Sequence, residues 1–149
     1  MIDEVLSKEL ETDALQEIPI NSFSNDLEVL KKLRLRYTDE LHKREVKIYE
    51  ELAESLFEVR LGKYLEDGKG GGSFDSFVFE FLEKIKELYV SLLTGNLVSN
   101  NERVMCKVTK KVTVDGRTLD RGDIAFLPIR LVVPLWIVEY IIPCKLVDN

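Results

Sequence analysis

The sequence is poor in the residues from which catalytic and metal sites are built. Its 149 residues include one histidine, His42, and two cysteines, Cys106 and Cys144. Two cysteines make no disulfide framework and point to a reducing compartment. One histidine with no cysteine cluster leaves no ligand set for a structural zinc. His42 has no cysteine or serine beside it to form a nucleophile pair, so it is expected on a solvated helix face. Proline is sparse, and none lies between Pro19 and Pro128, which leaves the intervening chain free to form long helices. No apolar run reaches the roughly 18 residues of a membrane span. The opening Met1-Ile2-Asp3-Glu4 is acidic where a signal peptide is basic. These absences predict a soluble, cytoplasmic protein that needs no cofactor.

What is abundant is charge of one sign in one place. The chain carries 21 Lys and Arg against 27 Asp and Glu, a net of −6. Residues 1–94 hold 13 basic and 21 acidic residues, residues 95–149 hold 8 and 6. The acidic part excludes a broad phosphate-binding surface. The slightly basic remainder leaves local nucleic-acid contact open.

The periodicity changes at about residue 95. Ile2, Val5, Leu6, Leu10 and Ala14 form one helical stripe, which predicts a helix over 2–16. Residues 25–65 have no proline and read as one long helix, or as two broken near Thr38–Lys43, with Ser22, Ser24 and Asn25 as N-cap candidates. Asp67-Gly68 and the glycines that follow stop it. Residues 74–93 carry nine apolar positions at helical spacing, with Ser73 as the expected N-cap and Asp75 in the first turn. Phe79 lies off that stripe, which suits either a neighbouring helix or a subunit contact. Arg60 suits either the helix dipole or a buried interhelix ion pair.

Residues 94–102 are polar turn formers and read as a linker. Beyond them Val104, Cys106 and Val108 alternate with polar neighbours. Asp115-Gly116 marks a type I′ hairpin. Asp120 to Asp123 form a second turn, Ile124 and Phe126 a short strand closed by Pro128, and residues 129–135 one or two helical turns before Pro134. Trp136–Ile142 reads as a final strand. The fold class is therefore α+β: an α-helical assembly domain over 1–94, a linker over 95–102, and a small β domain over 103–149.

The motifs that suggest chemistry fail on inspection. Gly68-Lys69-Gly70-Gly71-Gly72-Ser73 matches neither phosphate-binding template and follows a helix rather than a strand. Asp115, Asp120 and Asp123 lack the spacing of a calcium loop. Arg103, Lys107, Lys110 and Lys111 form the one basic cluster of the β part, as solvated lysines or as a contact for an acidic partner or nucleic acid. No catalytic, cofactor or metal site is expected, and the reading is a binding or assembly protein rather than an enzyme.

Two stretches resemble a known family. Leu52 to Leu65, with Arg60 and Lys63, is similar to the end of the long helix in GINS subunits. Val114-Asp115-Gly116-Arg117, Leu119, Arg121-Gly122-Asp123, Phe126-Leu127-Pro128 and Glu139-Tyr140-Ile141 resemble that family's small β domain. The order, helices first, is that of one of its two subunit classes, and the short chain looks like the archaeal form. The resemblance implies a non-catalytic DNA replication scaffold, nucleoid-associated. It implies a hetero-tetramer with a second GINS subunit type, and partners in the MCM replicative helicase and a RecJ-like activator protein. A small nucleic-acid-binding β domain with a helical dimerisation arm is the alternative, and a weak DNA contact fits either. Candidate interface residues in the helices are Leu56, Phe57, Arg60, Tyr64 and Phe79. In the β domain they are Val104, Lys107, Lys110, Lys111, Ile124 and Phe126, with Val104–Lys111 the expected free strand edge and Ile124–Phe126 the alternative.

Overall fold

A computed structural model describes residues 1–147. Its contacts divide the chain into two compact units, Met1–Ser76 and a second that begins at Phe77. The architecture is helices first and a small strand-rich part second, the expected α+β class.

The first unit contains α1 (Ile2–Glu11), a 3-10 turn (Ile20–Phe23), α2 (Ser24–Arg36) and α3 (Glu40–Asp67). α1 is shorter than its apolar stripe. Thr12 is extended, and its hydroxyl donates to the carbonyls of Lys8 and Glu9, closing the last turn. Residues 25–65 form two helices, because Asp39 is extended and caps α3 by accepting the His42 N–H. The 3-10 turn delivers the chain into α2, so none of Ser22, Ser24 and Asn25 caps it; Phe23 holds that position without a side-chain bond. Asp26 of α2 instead accepts the N–H of Ile2 and caps α1. Ile2, Ile18, Phe23 and Leu56 make the core, with Phe74 edge-on to Phe23 at 5.0 Å. α3 ends at Gly68 in the left-handed region, φ 65.

The second unit contains α4 (Ser76–Leu93, from Phe77 onward), β1 (Ser99–Asn100), β2 (Arg103–Val108), β3 (Val112–Val114), β4 (Arg117–Leu119), β5 (Ile124–Pro128), α5 (Ile129–Ile137) and β6 (Ile141–Pro143). β2 is central: β5 lies antiparallel along one side, and β1 and β6 share the other. The expected edge at Val104–Lys111 is therefore the middle of the sheet, and the alternative strand, β5, is an edge. Strand order is set by partners far along the chain, which local alternation does not encode. β3 and β4 form a separate hairpin whose turn has Asp115 at φ 49 and Gly116 at φ 75, as the type I′ turn requires.

Three further expectations change. The interval 95–102 is built into the sheet: β1 lies in it, Leu97 is buried, and the Asn96 side chain bonds both the N–H and the C=O of Val147. Trp136–Ile142 is not one strand. α5 runs through Pro134 to Ile137, and the strand begins at Ile141 after Glu139 at φ 62. The contact boundary falls at Ser76/Phe77 rather than 94, because α4 places Leu88 in the β unit's core, with Phe81 and Leu92 packed against it.

Candidate docking surfaces

Arg60 decides what the helical unit can offer. Its α3 position turns it inward, where it is 1% exposed. Nε and Nη2 donate to the two oxygens of Asp75 at 2.5 and 2.7 Å. Nη1 donates to Glu9 Oε2 at 3.0 Å and to the Gln16 carbonyl at 2.8 Å. Lys63, one turn on, donates to Glu9 Oε1 at 2.9 Å and also to the Glu9 carbonyl. Two cations thus face two carboxylates in a closed set that ties α1 to α3 and to the loop before α4. Burial opposes the Arg60 charge, but the bonds and field of Asp75 and Glu9 outweigh it and raise its pKa. Arg60 is the buried ion pair. Asp75, directly before α4, gives both carboxylate oxygens to Arg60, and the Ser73 hydroxyl accepts the Ile18 N–H.

Leu56, Tyr64 and Phe79 are also buried in the chain itself. Like Arg60, they leave little side-chain surface for a second protein to reach. Of the five helical candidates only Phe57, 50% exposed, faces outward. Leu65 on the same side of α3, and Ile85, Tyr89 and Leu93 along one side of α4, are further exposed apolar residues; Ile85 and Tyr89 belong to the nine-position stripe of α4. The signal was present: nine apolar positions in one helix make a stripe too wide for one packing surface.

In the β unit Val104 is fully buried on the inner face of β2. Lys110 reaches Glu139 at 3.6 Å and Lys111 reaches Asp120 at 4.0 Å, both in the turn after β2 and both exposed. Lys107, Ile124 and Phe126 are brought together. The register places Lys107 opposite Ile124 and Met105 opposite Phe126, all on the outer face, with Arg103 one step further. Ile124 is 55% and Phe126 43% exposed. Arg103 Nη1 donates to the Phe126 carbonyl at 3.2 Å. Beside them lies a groove of about 610 Å³ between β5 and the β3–β4 hairpin, lined by residues that include Arg103, Thr118, Ile124 and Phe126.

The polar groups that suggested chemistry are used locally. His42 Nδ1 lies 2.5 Å from Asp39 Oδ2 and its ring stacks on Tyr37 at 4.1 Å. The His42 N–H, then its ring, hold the Asp39 carboxyl below its ordinary pKa. The Cys106 thiol is pushed up to about 12, first by burial and then by Cys144. Asp123 Oδ2 accepts the Asp120 N–H at 2.8 Å, making the Arg121-Gly122-Asp123 tripeptide a tight turn. Among the described residues, no helix is long and apolar enough to cross a membrane.

Two family models match the chain, one in each of its two parts, and residues 76–94 lie between them. The model of the GINS complex Gins15 subunit N-terminal domain matches residues 1–75, and that of the C-terminal domain of the same subunit matches residues 95–145. No curated protein and no solved structure gives a significant match. Both family models match in the order of helices first and sheet second, and together they cover most of the sequence: the chain belongs to the Gins15 subunit family of the DNA replication GINS complex.

Proposed function

We propose that the chain is a non-catalytic scaffold subunit of archaeal type that links the MCM replicative helicase to a RecJ-like activator protein. In this reading the exposed apolar side of α3, with Phe57 and Leu65, holds the second GINS subunit type in a hetero-tetramer, and the exposed apolar side of α4, with Ile85 and Tyr89, offers it a separate contact. The outer face of the β unit, with Lys107, Ile124 and Phe126, receives the RecJ-like partner. Lys110 and Lys111 stand at the edge of that face and steer an acidic surface toward it.

The observation that carries the reading is the exposure of large apolar side chains on ordered elements of both units, while polar groups of catalytic type are taken up in caps and turns. Burying one such Leu, Ile or Phe contributes roughly 1.5–3 kcal/mol, so a few suffice for a stable contact. The test is co-purification of the intact chain with each partner. Leu65→Asp with Tyr89→Asp should lose the second GINS subunit. Ile124→Asp with Phe126→Asp should keep that subunit and lose the RecJ-like protein. Equal capture of the RecJ-like protein by this second variant and the parent overturns the assignment of the β unit.

A further inference from the structure

We propose that the free edge of β5 receives an extended, carboxylate-bearing segment of a partner protein as an added strand, and that Arg103 is the latch which caps this edge beforehand. The inference rests on the docking role given above to the β unit and specifies how that docking is made.

The backbone supplies the first argument. Among the described residues, β5 pairs with β2 alone, and β4, across the groove, pairs with β3 alone. In an antiparallel ladder, hydrogen-bonded pairs alternate with pairs that make no mutual bond. Val108 donates to the Asp123 carbonyl and Ile129 donates to the Glu102 carbonyl, so the bonded positions of this strand are Asp123, Ala125 and Leu127. Ile124 and Phe126 fall between them. Their N–H and C=O groups therefore point away from β2, into the groove. One of these four groups, the Phe126 carbonyl, accepts from Arg103. An edge offering alternating donors and acceptors matches a peptide strand. It does not match a phosphate backbone, which finds no donor at a carbonyl.

Charge supplies the second argument. By alternation the outer face of the sheet presents Arg103, Met105, Lys107, Ile124, Phe126 and Ile142. Two cations flank an apolar row, and the outward positions of the four strands include no carboxylate. The carboxylates that line the groove, Asp115 and Asp123, sit in turns, and Asp123 is engaged by the Asp120 N–H. A strand laid beside β5 puts alternate side chains on this face, where apolar groups meet Ile124 and Phe126 and carboxylates meet Arg103 and Lys107. A second copy of the chain paired edge to edge would bring four cations onto one face, which disfavours that occupant. On docking, Arg103 exchanges the Phe126 carbonyl for the partner's carboxylate, and the carbonyl passes to the incoming N–H.

The experiment uses the intact chain, isotope-labelled for amide exchange. The probe is an end-blocked peptide of about seven residues alternating Glu and Val. At saturation it should slow exchange at Ile124 and Phe126 by about tenfold or more and shift the Arg103 Nε resonance, with Ala125 little changed. A Thr–Val peptide should bind more weakly and a Lys–Val peptide not at all. In Arg103→Ala the preference for Glu–Val over Thr–Val should fall about fivefold, without loss of the fold. No binding at about 2 mM peptide, equal binding of the Lys–Val peptide, or protection of the same amides by single-stranded DNA overturns the proposal. Capture of the RecJ-like protein with Ile124 and Phe126 left unprotected sinks strand addition alone. Failure to capture it at all sinks the scaffold reading.

Discussion

Arg60 shows how one side chain can commit a helical unit. Its partners are on two other segments, and truncation leaves Glu9 and Asp75 buried beside Lys63 alone. Arg60→Ala should cost about 3–5 kcal/mol, read from urea unfolding, because uncompensated buried charge is the dominant loss. Arg60→Lys should cost less but still destabilise, since an ammonium cannot span both Asp75 oxygens. Asp39 makes a gentler case at the surface. Its pKa is depressed in the fold, so its contribution is present above the ordinary carboxylate value and is lost as pH falls through the folded value. Asp39→Ala should therefore lower the melting temperature at neutral pH, and the gap from the parent should close below about pH 4. Sequence patterns marked Asp115-Gly116 as a turn, because that follows from backbone preferences of adjacent residues, and left a break near Asp39 as one of two alternatives for residues 25–65. They did not separate a buried Arg60 from a surface one, since that depends on Glu9, 51 positions away.

Elements were legible in kind and less so in place. The α4 periodicity gives the helix directly, yet its nine-position stripe conceals that one side packs on the β unit while Ile85 and Tyr89 stay exposed. β2 reads as a strand from alternation, but its central position, with Val104 buried, depends on β6 returning beside it; Leu56, Arg60, Tyr64 and Phe79 are buried in the helices for reasons equally remote in sequence. α5 is the element where a local rule is overridden. Pro134 leaves the Arg130 carbonyl without its helical donor, while Val132 and Val133 are buried and hold the helix in register. Pro134 is itself exposed. Pro134→Ala should raise stability by about 1 kcal/mol, measured as a shift in denaturant midpoint at constant m.

At the scale of the whole molecule, the contact boundary makes a prediction that differs from the sequence boundary. A fragment from residue 77 onward retains Leu88, Phe81 and Leu92 with the sheet core. A fragment from residue 95 onward lacks them and exposes the apolar surface they cover. The longer piece should give dispersed amide resonances and a cooperative melt, and the shorter should aggregate or lose dispersion. Equal folding of both would return α4 to the helical half.

The central place of β2 also sets an order in time. As the chain is made, the helical unit is complete at Ser76 with Arg60, Lys63, Glu9 and Asp75 all available to one another. β2 then emerges with one short neighbour, β1, and must wait for β5 and finally for β6 at Ile141–Pro143. Domains fold as units during synthesis, the earlier first. On stalled nascent chains ending near residue 130, protease should spare the first unit and cut the second. In the proposed reading the α3 contact, with Phe57 and Leu65, is folded before the docking face on β5 exists, so assembly can begin ahead of recruitment by the order of the chain itself.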